Sequence, residues 1–259
     1  MTTQSSTRFV RIAMLSLIML CPSIYGFGQT KGLLLNGIQD SIYNAFMLSF
    51  SHGNPNRIES LMAELNTLPK QNTLATYWKA YAGYYLSIHH LKFGNKKEAR
   101  KAIQQAINTI EQARNKDSEL YALLAMMQSF SIQFASGMSS ASISKLVKDN
   151  AMKSIAADSA NLRAWYVLGQ NDYYTPQMYG GGKKVETYLK KAISMPDQSM
   201  QHPHMPTWGR SNAYALLVGI YIERNMCQQA KETVDKGLQL FPDDYTLNQH
   251  AATIEEQCQ

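Results

Sequence analysis

The chain has 259 residues, 45% of them apolar and 17% charged, with a formal net charge of +6, and no long run enriched in Pro, Gly or Ser marks a flexible linker. One continuous domain is therefore expected. The charge excess is too modest for an electrostatic grip on nucleic acid: Lys96 with Lys97 and Lys190 with Lys191 alternate with Glu and Gln, as on a solvated helix face.

At the N-terminus, Arg8 and Arg11 precede an apolar run from Ile12 to Cys21, followed by Pro22 and the exit Gly26, Phe27 and Gly28. That layout reads as a secretory signal over residues 1–28. The run is far shorter than the roughly 20 residues a membrane-spanning helix needs. Leu20 before Cys21 argues against a lipid anchor. Cleavage after Gly28 leaves a mature chain, 29–259, with 23 basic and 19 acidic side chains. Export to the periplasm or beyond is the expectation, with no transmembrane segment in the mature chain and no nucleic-acid partner. Only Cys227 and Cys258 remain, in a compartment that permits disulfides.

The mature chain reads as helix throughout, with no strand-like alternation. A first pair over 34–66 has Ile38, Ile42, Ala45 and Phe46 on one helix and Ile58, Met62 and Leu65 on the next. Asn54 and Pro55 mark the second start, because Asn accepts from free N–H groups and Pro needs no donor there. Next, over 72–114, Trp78, Tyr81, Ala82 and Tyr85 lead to Ala99, Ile103 and Ala106. Over 117–157, Tyr121, Leu124 and Ala125 lead to Ala151 and Ile155. Over 160–196, Trp165, Leu168 and Gly169 lead to Leu189 and Ala192, with extra residues around Tyr174 to Gly182. The clearest pair spans 208–242, with Tyr214, Leu217, Val218 and Tyr221, then Ala230, Val234 and Gly237 before Pro242. A polar helix over 244–257 reads as a cap on the last apolar face.

These intervals resemble the tetratricopeptide repeat, specifically in the last two pairs and by echo in the two before. Small residues such as Ala230 let paired helices approach, and bulky ones such as Tyr221 fill the gap between pairs. Departures are Val218 where Gly or Ala is usual, Gly237 for Ala, and Val185 for Ala. Equivalent positions Tyr81, Leu124, Leu168 and Leu217 lie 43, 44 and 49 residues apart, longer than the 34-residue unit. The resemblance, to exported bacterial proteins of this type, implies an all-α fold: a right-handed superhelical array of antiparallel helix pairs with a C-terminal capping helix.

Cys227 opens the second helix of the last pair and Cys258 ends the antiparallel helix after it. Both helices run about fourteen residues, roughly 21 Å at 1.5 Å per residue, so their outer ends meet and a Cys227–Cys258 disulfide is expected over two free thiols.

No H-E-x-x-H, G-x-S-x-G, C-x-x-C or dinucleotide fingerprint is present. Gly180 to Lys184 looks superficially like a phosphate loop, but Lys184 stands where Ser or Thr should hold magnesium, and a glycine-rich turn is the simpler reading. His202 and His204, on either side of Pro203, and the adjacent His89 and His90 lack third and fourth ligands, so solvent-exposed histidines are expected, with no metal and no cofactor. Asp172 sits where the repeat puts an aromatic. Either the helix ends early and Tyr173 fills the gap, or a basic or N–H partner holds the carboxylate.

In arrays of this kind the first helix of each pair lines a concave face. The resemblance carries partner binding to Lys79, Met126, Arg163, Tyr166, Gln170, Tyr173 and Ile222, with Ala122, Ala215 and Phe130 beside them and Glu119 joining Arg163 at the groove entrance. Met126, Phe130 and Tyr173 read equally well as core. The implied function is a non-enzymatic protein-interaction scaffold whose groove suits a peptide; the alternatives are a periplasmic carrier or transporter-associated binder of an apolar small molecule, and a hydrolase using His202, His204 or Asp172.

Overall fold

The computed structural model describes residues 35–69, 72–196 and 204–258. The expected signal segment, His202 and Pro203 lie outside the described residues. Among the described residues eleven α-helices follow one another: α1 Ile38–His52, α2 Asn56–Asn66, α3 Thr73–Lys92, α4 Lys96–Glu111, α5 Ser118–Ser131, α6 Gly137–Ala157, α7 Leu162–Tyr174, α8 Val185–Ser194, α9 Arg210–Glu223, α10 Cys227–Leu240 and α11 Tyr245–Gln257. Short 3-10 turns at Ile132–Phe134 and Gln177–Tyr179 fill the lengthened connections inside the third and fourth pairs. The expected all-helical array of adjacent pairs is what forms.

Side-chain caps fix several starts. Asn72, Asp117, Asn161 and Asp244 accept from the backbone N–H groups of Ala75, Leu120, Ala164 and Leu247, satisfying donors a helix leaves free in its first turn. The two helices of each pair then bury different amounts of surface. In α4 one stripe goes inside, Ala99, Ala102, Ile103, Ala106, Ile107 and Ile110, the i, i+3, i+4 pattern of a helix with one covered side. In α3 burial runs almost around the helix, from Tyr77 and Trp78 through Ala80, Tyr81 and Ala82, because α3 packs on α1, α2, α4 and α5 at once. First helices touch their successors all along the array, α1 on α3, α3 on α5, α5 on α7 and α7 on α9, whereas second helices pack mainly on flanking first helices. The first-helix row is therefore the inner side of the curve.

Close approach depends on missing side chains. A Cβ on Gly169 would lie 2.7 Å from Leu189 Cδ2, across the α7–α8 pair, so a larger residue there forces the pair apart. Among buried polar groups, Asn150 donates to Gln128 across α5 and α6 at 2.9 Å. Ser118, Ser154 and Asn161 form a closed set where α5, α6 and α7 meet. Each is paired, as burial requires.

At the C-terminal end α11 lies against α9 and α10 with Leu247 and Ile254 buried. Cys227 and Cys258 are bonded, with Cα atoms 5.6 Å apart and a sequence separation of 31. Closing a loop of that length stabilises by about 3–4 kcal/mol in the chain-entropy model. A thiol titration of unreduced, denatured protein is expected to find neither cysteine free, and Cys227→Ser to fray α11 as seen by hydrogen exchange; two free thiols would contradict the bond.

Candidate functional site

The inner row is where the sequence concentrates rings and removes charge. First helices carry 11 of the 15 tyrosines. They also hold 8 Asp, Glu, Lys and Arg side chains against 20 on the second helices, so the second helices take most of the charge and the first helices most of the tyrosine rings. Ring contacts run from Tyr43 on α1 to Tyr85 on α3 at 6.4 Å, and from Phe46 to both Phe50 and Tyr85 at 4.7 Å. They continue from Tyr81 to Tyr85 at 5.1 Å and from Tyr84 to Phe130 on α5 at 5.0 Å. Burial holds the Tyr84 and Tyr166 hydroxyls above their ordinary range, so both stay protonated.

One edge of this face is occupied by the chain itself. The segment His204–Gly209, leading into α9, crosses back over the N-terminal ends of the first helices. The Trp78 indole N–H donates to the His204 carbonyl at 3.0 Å. Gln39 on α1 makes two bonds to Thr207, accepting from its backbone N–H at 2.8 Å and donating to its hydroxyl at 2.6 Å. Trp208 is 9% exposed; its indole N–H donates to the Tyr77 hydroxyl at 2.6 Å, and its ring lies over Tyr81 with centroids 6.4 Å apart. Burial, then the Glu119 charge, push the Tyr77 hydroxyl well up, so it remains a neutral acceptor.

Arg163 fastens this strap from below. Its guanidinium lies against the Glu119 carboxylate through Nε at 2.6 Å and Nη2 at 2.5 Å, while Nη1 donates to the carbonyls of Pro206 and Trp208 at 3.1 and 3.2 Å. A two-pronged ion pair whose other guanidinium nitrogen is also hydrogen-bonded is the form in which a buried charge is tolerated. Gly209 closes the turn at φ 109, and a Cβ there would meet Arg163 Cγ at 2.9 Å, so the close approach and the positive φ both require glycine.

Several expectations need correcting. Arg163 is fully buried and Glu119 nearly so; neither guards a groove entrance, because the strap covers them. Met126, 7% exposed, is core, as are Ala122 and Ala215. Lys79 points away from the inner face, opposite Tyr81 on α3, into a hollow lined by Leu65, Leu68, Thr109 and Ala113 at the ends of α2 and α4. Tyr166 and Gln170 are half-buried on α7, the Tyr166 ring 6.3 Å from Trp208. Tyr173 is half-buried too, and its hydroxyl donates to the Glu223 carboxylate of α9, a bond that pushes its pKa up to about 12. Ile222 is partly buried in the C-terminal core. Asp172 follows the second of its two readings: α7 runs on to Tyr174, and the carboxylate accepts from the Lys184 N–H at 2.8 Å. The Gly182 N–H also goes to the Asp172 carbonyl at 2.8 Å, so two donors a phosphate would need in this turn are already taken.

His89 is 3% exposed rather than solvated; its Nδ1 lies 2.8 Å from Ser49 Oγ, tying α3 to α1. Ser49 Oγ itself donates to the Phe46 carbonyl, so it accepts from His89, whose ring sits against Phe93 and Phe50. Burial, and next the neighbouring His90, lower the His89 pKa, with Glu59 opposing. The unfolded chain therefore binds the proton more readily, and stability present above pH about 6.5 is lost as pH falls below it. A urea midpoint that drops between pH 7 and 5 in the wild type, and drops less in His89→Gln, is the expected result. Among the described residues no three metal-ligating side chains meet, and no described helix is long and apolar enough to cross a membrane.

What the sequence reading missed is the strap: Gln39, Tyr77 and Trp208. The available signal was a lone tryptophan, two positions after a proline, in a connection that no repeat explains.

No protein-family model matches the chain, and no curated protein does. Among solved structures, a thermophilic TPR protein from Thermus thermophilus is 16% identical, aligning over 82% of this chain and 98% of its own with a TM-score of 0.53. The HusA haemophore from Porphyromonas gingivalis is 20% identical over 65% of this chain and 92% of its own, TM-score 0.45. PilF of Pseudomonas aeruginosa is 20% identical over 68% and 67%, TM-score 0.40. Of these three, the first is similar enough in shape to speak for the fold. The paired helices, their inner row of first helices and that likeness together make this a tetratricopeptide-type helical-repeat fold, an α-solenoid.

Proposed function

We propose that the protein is an exported, non-enzymatic scaffold that engages a protein or peptide partner through the face formed by its first helices. The observation that carries this reading is the segregation of aromatic and charged side chains: 11 tyrosines on the inner helices, and 20 charged groups outside against 8 inside. Of those eight, Arg163 and Glu119 neutralise each other beneath the strap, Asp172 holds the glycine turn, and Lys79 faces away. Large, stiff, amphipathic rings with little competing charge are what partner surfaces use for anchoring. Export is supported by the N-terminal signal pattern and agrees with a bonded cysteine pair, which an oxidising compartment preserves.

The test of export is N-terminal sequencing of protein recovered outside the cytoplasm, expected to begin at Gln29; a chain that keeps its leader in the cytoplasm contradicts it. For the inner face, Tyr43→Glu combined with Gln170→Glu is expected to abolish partner capture by the tagged protein, while Lys101→Glu on α4 leaves it intact. Equal capture by both variants would overturn the assignment.

A second reading, a carrier of an apolar small molecule, is favoured by rings left open on the same face, Tyr43 at 48% and Phe93 at 44% exposed. Native mass spectrometry of freshly isolated protein separates the two: a mass excess lost in Tyr43→Glu supports the carrier, and the bare chain mass supports the scaffold.

A further inference from the structure

The strap shows what this face accepts. Thr207 and Trp208 are in neither helix nor turn, Pro206 is buried, and the carbonyls of His204, Pro206 and Trp208 accept from the Trp78 indole and the Arg163 guanidinium. An extended segment containing proline has no internal hydrogen bonds, so its carbonyls are free for indole and guanidinium donors while its rings and prolines lie on aromatic faces. Ordering it is also cheaper than ordering a flexible chain, since proline is already restricted.

The surface the strap uses does not stop where the strap stops. Tyr81, stacked on Trp208, also meets Tyr85 at 5.1 Å. From Tyr85 the rings continue to Tyr43 and Phe46, then to Phe50 and to Phe93 at 6.0 Å beyond it. Tyr43, Met47 and Phe93 are each between 44% and 48% exposed, so this second lane is uncovered where the first is filled. Its five rings belong to α1 and to α3 and its end; along those helices the nearest charges are Asp40, one turn before Tyr43, and Lys92, next to Phe93.

We propose that the second lane, Tyr43, Phe46, Phe50, Tyr85 and Phe93, takes an extended, proline-containing peptide segment of low charge, laid beside the strap as the strap is laid on Tyr77, Trp78 and Tyr81. The inference rests on the inner-face reading and adds the chemistry of the partner. Continuity with the seat of Trp208 supplies the geometry, and the strap supplies the chemical class. A highly charged peptide gains little here, because the five rings offer it no counter-charge of their own.

The experiment uses the mature chain, residues 29–259, and three fluorescently labelled twelve-residue peptides: a low-charge peptide of alternating prolines and aromatics, the same peptide with every proline changed to alanine, and the proline peptide with lysines in place of its aromatics. Binding is read by anisotropy on the wild type and on Tyr43→Glu/Phe93→Glu, two exposed positions, with helical circular dichroism checked to match the wild type. The proline–aromatic peptide is expected to bind saturably, at least tenfold more tightly than the other two, and to lose at least tenfold in the double variant. Equal binding of the alanine peptide would overturn the proline inference and leave the inner-face reading standing. Binding indifferent to the double variant, or no binding of any peptide, would overturn the proposal, while the inner-face reading stands or falls on the capture test above. Self-association in sedimentation that the double variant abolishes would assign the lane to a second copy of the chain, and a co-purified apolar molecule displaced by none of the peptides would assign it to a small ligand; each overturns the proposal.

Discussion

Arg163→Met is expected to destabilise the protein by about 3–5 kcal/mol, the cost of leaving one member of a buried ion pair without its partner. The change removes both prongs to Glu119 and both bonds to the Pro206 and Trp208 carbonyls, so a carboxylate and two carbonyls would be left in a dry site. Glu119→Leu is expected to cost a comparable amount for the mirror-image reason. The double variant Arg163→Met/Glu119→Leu, which takes out both charges together, is expected to recover a large part of the loss, because a buried pair replaced by apolar volume is often close to neutral. Urea unfolding of the four proteins forms the cycle. Additive losses in the double variant would show that the pair does not act as a unit.

Trp208→Ala is expected to cost about 3–5 kcal/mol, typical of a buried large aromatic cut back to a methyl. The side chain is 9% exposed, donates to Tyr77, lies on Tyr81, and has the Arg163 guanidinium 5.9 Å from its ring centre. It is also the contact through which a segment next to α9 reaches α3, more than a hundred positions earlier. Solenoid stability is otherwise largely a nearest-neighbour affair. The strap adds a long-range tie, so its loss is expected to separate the unfolding of α1 to α4 from that of α9 to α11. Hydrogen exchange that loosens both ends independently in Trp208→Ala, from a single transition in the wild type, is the predicted signature; a uniform loss of protection would contradict it.

How far the sequence foretold this molecule depends on the range of the interaction. Helices were legible because their apolar spacing is local: Ala99, Ile103 and Ala106 declare α4 as a one-sided helix without reference to anything else. Tyr166, Gln170 and Tyr173 are half-buried on α7, with the Tyr166 ring 6.3 Å from Trp208. Transfer from the resemblance misplaced Lys79, because in α3 the inner stripe runs through Tyr77, Tyr81 and Tyr84 and the residue after a core aromatic turns outward. Arg163 and Glu119, 44 positions apart, looked like exposed entrance charges, since no local pattern announces that a later segment will cover them. His89 looked solvated for the same reason: its partner, Ser49, belongs to another helix and has no motif. The strap was hidden most completely, because its contacts with Gln39 and Trp78 span 168 and 126 positions and obey no period.

The most direct test of the inner-face assignment is site-specific photo-crosslinking in the cells that make the protein. A photoreactive residue replaces Phe93 on the inner aromatic lane in one variant and Lys101 on the outer helix α4 in another. The account predicts a discrete partner adduct from position 93, absent from position 101 and suppressed when Tyr43→Glu is added. Adducts of equal yield from both positions, or from position 101 alone, would contradict it.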